Sequence, residues 1–107
     1  MPLINIEYDD DKVSAKDAER LANAARDIVS DATGIEDVFV YANAARIKVR
    51  VAPVEIFIRM TAKKIEDQNA LFGEIRSKLA HWKTAASFPY PINLTLIPMD
   101  WMVETGI

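Results

Sequence analysis

The regular elements in this chain run β-α-β and then β-α-β again, and this doubling narrows the folds open to it more than any other feature. The first unit opens with Leu3 to Tyr8, where Ile4, Ile6 and Tyr8 alternate onto one face of a strand. An acidic turn, Asp9-Asp10-Asp11, follows and is closed by Lys12. Ser14 and Asp17 have the spacing of a capping box. Ala18, Leu21, Ala22, Ala25, Ile28, Val29 and Ala32 then recur at helical spacing, up to Gly34 as a left-handed cap. Asp37 to Ala42 makes the second strand. In the second unit, Val54, Ile56, Ile58 and Met60 alternate against Glu55, Phe57 and Arg59. A helix from about Glu66 to Lys83 carries Leu71, Phe72, Ile75, Leu79 and Trp82 on one stripe, and Gly73 costs it about 1 kcal/mol. The rigid link Phe88-Pro89-Tyr90-Pro91 leads to a last strand, Ile92 to Ile97, ended by Pro98. The units echo each other in residues too: Pro2 to Tyr8 lines up with Pro53 to Arg59 after a one-residue slip in alternation.

Each unit can cover one face of two strands with one helix. Two units side by side predict an α+β domain in two layers over residues 1–107, with pseudo-repeats at about 2–43 and 53–98: a four-stranded sheet with both helices on one face. Between the units, Ile47, Val49 and Val51 are expected to point inward and Arg46, Lys48 and Arg50 outward, forming an edge ribbon or arm that Pro53 interrupts. The cationic row suits a solvated edge that resists aggregation, or a carboxylate-binding rim. Phe57 and its neighbours leave the second sheet face apolar, which predicts self-association.

Composition excludes several classes. A net charge of −3 argues against nucleic acid or an anionic membrane as partner. With no cysteine there is neither a disulfide framework nor thiolate chemistry. His81 is the single histidine, so a zinc site of several imidazoles cannot form within one chain. The Asp9-Asp10-Asp11 run suits a solvated turn or a hard-cation ligand set; no metal and no cofactor are assigned. No apolar run approaches the ~20 residues of a membrane span and no signal-peptide pattern opens the chain, so a cytoplasmic protein is expected.

The residue with the clearest chemical promise is Pro2. Methionine before so small a side chain is ordinarily removed in cells, leaving a secondary amine on a fixed ring at the head of a strand. Such an amine has an ordinary pKa of about 8. Apolar walls and nearby cations lower it towards neutrality, where it can work as a general base. With Met1 retained, the same nitrogen is a tertiary amide and has no basic lone pair. The plainer role of Pro2 is to stiffen the start of an edge strand.

A proline next to Met1, duplicated β-α-β units and this length together resemble the tautomerase superfamily, which includes 4-oxalocrotonate tautomerase, 5-carboxymethyl-2-hydroxymuconate isomerase and macrophage migration inhibitory factor. The likeness covers nearly the whole chain. It is closest to small bacterial members of unassigned role that end, as here, in Ile97-Pro98 and a short aromatic tail. The resemblance implies a homotrimer with sheets facing the central axis and one proline pocket per subunit. It matches Pro2 to the catalytic proline and Lys12 to a substrate-binding arginine in the turn after the first strand. Phe39 stands where the short members carry a second arginine, a departure that passes the cation's role to Arg46, Arg50 or Arg59. Phe39, Phe57, Trp101 and Met102 are expected as apolar walls. The function expected is a keto-enol tautomerase or isomerase acting on a small carboxylate, a 2-oxo acid or its enol. The alternative is a non-catalytic trimer that binds a small anion or a protein.

Overall fold

A computed structural model describes all residues, Met1–Ile107. The strands are β1 (Leu3–Tyr8), β2 (Phe39–Ala44), β3 (Val54–Thr61) and β4 (Ile92–Met99); the helices are α1 (Ala15–Thr33) and α2 (Gln68–Ala85). The sheet order is β2-β1-β3-β4. β1 pairs with β2 in parallel and β3 with β4 in parallel, while β1 and β3 meet antiparallel at the centre. The two β-α-β units are thus joined through their first strands, so their like ends lie at opposite ends of the sheet.

Alternation decides what is buried. Ile4 and Ile6 of β1 and Val54, Ile56, Ile58 and Met60 of β3 face the helices, where Leu21, Ala25, Val29, Ile75 and Leu79 meet them. Each such aliphatic side chain contributes about 1.5–3 kcal/mol on burial. Only 17 of 107 residues are buried and none lies on the other sheet face, so this is a one-sided core. That second face presents Phe39 and Tyr41, 42% and 54% exposed, with Leu3, Asn5, Glu7, Glu55, Phe57 and Arg59.

The caps explain the helix limits. Ser14 Oγ accepts from Asp17 N–H at 3.1 Å, and Gly34 closes α1 at φ 72°, a conformation that costs glycine little. The start of α2 moves to Gln68 because Asp67 Oδ1 accepts from Ala70 N–H at 3.0 Å. Phe88 is buried, with its ring centroid 5.5 Å from that of Trp82 and 5.2 Å from that of Tyr90, so the link into β4 is an aromatic cluster.

Three expectations need correcting. β2 begins at Phe39, not Asp37, and runs on to Ala44. β4 passes through Pro98, because an edge strand can lose one N–H on its free side. The segment 45–53 forms no strand within the chain and its predicted facing is inverted: Ile47 and Val49 stand in solvent while Lys48 turns in.

The cause of the inversion is charge. Lys48 Nζ lies 2.9 Å from Asp9 Oδ1 and 3.1 Å from Asp11 Oδ2, and it also bonds Asp10. The acidic turn therefore gathers an ammonium and clasps the arm to the end of β1. Hydrogen bonding from Lys48, helped by Asp11 N–H, holds the buried Asp9 carboxyl below its ordinary 3.8. The carboxylates in turn, Asp10 first, raise the Lys48 ammonium. The Asp9 contribution is therefore present above about pH 4 and lost as pH falls through its lowered value; that of Lys48 is lost only as pH rises far above 10.5. Lys48→Met is expected to speed tryptic cleavage after Arg46 and Arg50 about tenfold at neutral pH, by freeing the arm for local opening. Unchanged cleavage would show that the clasp does not order it.

Candidate active site

β1 is a central strand, and Pro2 stands immediately before it. The Pro2 carbonyl accepts from Phe39 N–H at 3.1 Å; its ring is buried, and the alternation that turns Ile4 and Ile6 to the helices puts it on their side. The next residue, Leu3, pairs with Phe39 on one side and Arg59 on the other. Phe39, Leu3, Arg59 and Ile97 therefore form one row across the outer face at the end of the sheet. Arg59 is the register partner of Leu3, the residue after Pro2, and alternation puts Pro2 and Arg59 on opposite faces, so a molecule touching both must lie over the rim where the strands start and stop.

Arg59 is held with care. Its Nη1 donates to Asn5 Oδ1 at 2.8 Å, and its guanidinium carbon lies 5.8 Å from the Phe57 ring centroid. Ion pairs in this chain involve Arg20, Arg26, Lys48 and Lys78, and Arg59 makes none. A half-buried guanidinium without a carboxylate partner, stacked on an aromatic ring, suits an incoming anion.

The tail crosses the same end. Trp101 Nε1–H donates to Thr61 Oγ1 at 2.9 Å, which brings the indole over the last residue of β3. Met102 is fully exposed and walls nothing within one chain. Lys63 and Lys64, in the single 3₁₀ turn Ala62–Lys64, add exposed ammonium groups beside β3. Lys64 borders a surface cavity of about 440 Å³ shared with Ile65, Glu66 and Glu74.

The other sequence-selected cations are elsewhere. Lys12 lies in the turn after β1, and Arg46 and Arg50 lie in the arm after β2, whose last residue, Ala44, pairs with Tyr8. Strands of this length separate the two ends by about 20 Å. Arg50 lines a cavity of about 190 Å³ with Glu7, Tyr8 and Glu55. Glu7 and Glu55 are cross-strand partners, and each accepts from an asparagine, Asn43 Nδ2 at 3.3 Å and Asn93 Nδ2 at 2.9 Å. Of the seven residues selected from sequence, Pro2, Phe39, Arg59 and Trp101 share one end, while Lys12, Arg46 and Arg50 share the other. Asn5, Thr61 and Lys63 were not selected. A polar side chain between Ile4 and Ile6 was the available signal for Asn5.

No protein-family profile matches this sequence, and no curated protein is significantly similar to it. Solved structures do match over nearly the full length. A wild-type fused 4-OT, described as an asymmetric trimer, superposes with a TM-score of 0.68 at 14% identity, covering 94% of this chain and 91% of that one. The chain has the tautomerase fold. Malonate semialdehyde decarboxylase has the same fold at TM-score 0.67 and 12% identity, over 98% of this chain and 92% of that one. So does 5-carboxymethyl-2-hydroxymuconate delta-isomerase, at 0.65 and 12%, over 99% and 89%. In this tautomerase fold the antiparallel meeting of β1 and β3 sets Pro2 at a rim beside Arg59.

Proposed function

We propose that the protein is a cytoplasmic tautomerase-like isomerase that moves a proton between oxygen and carbon in a small 2-oxo acid or its enol, with Pro2 as general base. One observation carries this: Pro2 heads a central strand of the tautomerase fold one residue before Leu3, the cross-strand partner of an arginine without a counter-ion. In the form lacking Met1, the Pro2 nitrogen takes the proton from the enol hydroxyl as the C–O bond becomes a carbonyl, and returns it to the far carbon of the former double bond, C3 of the 2-oxo acid. Arg59 holds the carboxylate and offsets the charge that develops on the enolate oxygen. Phe39 and Trp101 supply apolar walls, which together with the arginine lower the amine's pKa from about 8. Among the fold neighbours, the decarboxylase was also studied as a variant with its first residue, a proline, replaced by alanine. Malonate semialdehyde and 5-carboxymethyl-2-hydroxymuconate are both carboxylates.

Mass spectrometry of the native N-terminus, paired with a phenylpyruvate enol–keto assay, tests the proposal. Met1-free protein is expected to turn the substrate over; an inert Met1-free protein would leave the non-catalytic, anion-binding alternative.

The working unit is proposed to be a homotrimer. The uncovered sheet face, with Phe39 and Tyr41, and the exposed Ile47, Val49 and Met102 supply the apolar surface for it. Sedimentation equilibrium at micromolar concentration is expected to show three times the 12.0 kDa chain mass. A species of one chain mass alone would rule it out.

A further inference from the structure

We infer that Asn5 is a positioning residue: it fixes the Arg59 guanidinium so that one defined edge is left for a substrate carboxylate. This rests on the proposed role of Arg59. Arginine has a long side chain with much rotamer freedom, and within the chain no ion pair restrains that of Arg59. Two contacts do. Asn5 Oδ1 accepts from Nη1 at 2.8 Å, and the Phe57 ring lies 5.8 Å beneath the guanidinium carbon. Asn5, Phe57 and Arg59 project from β1 and β3 onto the same outer face, with Asn5 the cross-strand partner of Phe57. The Asn5–Arg59 contact is therefore diagonal, within reach of a long side chain. With one N–H of Nη1 taken by Asn5, Nε and Nη2 keep all their donors without a partner within the chain, and together they form a fork that takes a carboxylate through two parallel hydrogen bonds.

Asparagine serves this role where aspartate would not. The amide oxygen accepts from the guanidinium without neutralising it, so the positive charge stays available to the ligand. The nearest residues on the same face are consistent with that economy of charge: Leu3, Tyr41, Phe57, Thr95 and Ile97 are all uncharged, and the first carboxylates, Glu7 and Glu55, lie a row further along the strands.

The test uses Met1-free full-length protein and measures both turnover and equilibrium binding of phenylpyruvate and its methyl ester. Asn5→Ala is expected to weaken phenylpyruvate about threefold to tenfold, chiefly in KM. Asn5→Asp, which turns the tether into an ion pair, is expected to weaken it more than tenfold. Neither change should alter binding of the ester by more than about twofold. Equal losses for acid and ester, or Asn5→Asp behaving as the native protein, would overturn the inference. Failure of the catalytic proposal is distinguishable: native protein that prefers acid over ester but does not turn it over would keep the Asn5 inference and remove Pro2 as base. Native protein that binds acid and ester alike would remove the Arg59 site and the inference with it.

Discussion

Pro2→Ala in Met1-free protein is expected to lower kcat for phenylpyruvate enol–keto conversion by 10²-fold or more, the order of contribution a positioned general base makes. Alanine leaves a primary amine, so basicity survives in part. What goes is the ring, which fixes φ and directs the lone pair, and which is buried in the native chain. Protein that keeps Met1 is expected to be inert, because an amide nitrogen cannot accept the proton. Only the unprotonated amine is a base, so the rate should rise with pH through an apparent pKa below the ordinary value of about 8. Far-ultraviolet circular dichroism would confirm that the variant still folds. Equal turnover by Met1-bearing and Met1-free proteins would reduce Pro2 to the start of a strand.

Arg59→Ala is expected to raise KM for the carboxylate substrate about tenfold to a hundredfold. A hydrogen bond to a charged group contributes about 1.5–3 kcal/mol, and 1.4 kcal/mol is tenfold in binding. Arg59→Lys should recover only part of this, since an ammonium keeps the charge but has no fork. Alanine at Lys12, Arg46 or Arg50 should change KM less than twofold if each chain builds its own site, because those cations lie at the far end of the sheet. If one of them instead exceeds the Arg59 effect, the site is completed by the far end of an adjoining copy, and the place of Arg59 at the rim is incidental.

Much of the scaffold was legible because its signals are local. The alternation in Val54–Met60, the Ser14 cap and the Gly34 stop each depend on a few consecutive residues, and each appears where the sequence put it. The arm was misjudged for the opposite reason. Ile47, Val49 and Val51 alternate as a half-buried strand would, but no strand within the chain pairs with them. The facing was decided by attraction between Lys48 and a turn nearly 40 residues earlier, which periodicity does not encode. The candidate site divides in the same way. Pro2 announced itself through its bond chemistry. Separating Arg59 from Lys12, Arg46 and Arg50 required the antiparallel register of β1 on β3, and so did bringing Asn5 to Arg59.

The second proline gives the doubled architecture an unequal outcome. Pro53 precedes β3 as Pro2 precedes β1, and its carbonyl accepts from Asp9 N–H at 3.0 Å much as that of Pro2 accepts from Phe39 N–H. Its nitrogen, however, is acylated by Ala52, so no processing at the start of the chain can make it an amine. Two separate β-α-β units would present two terminal prolines, whereas joining them in one chain leaves one. In Met1-free protein, a reagent that alkylates the proline amine should therefore saturate at a single equivalent per chain, however many copies assemble, and Met1-bearing protein should take up none at either proline. The Pro53 end of the sheet, with no amine to expose, holds the aspartate–lysine clasp instead.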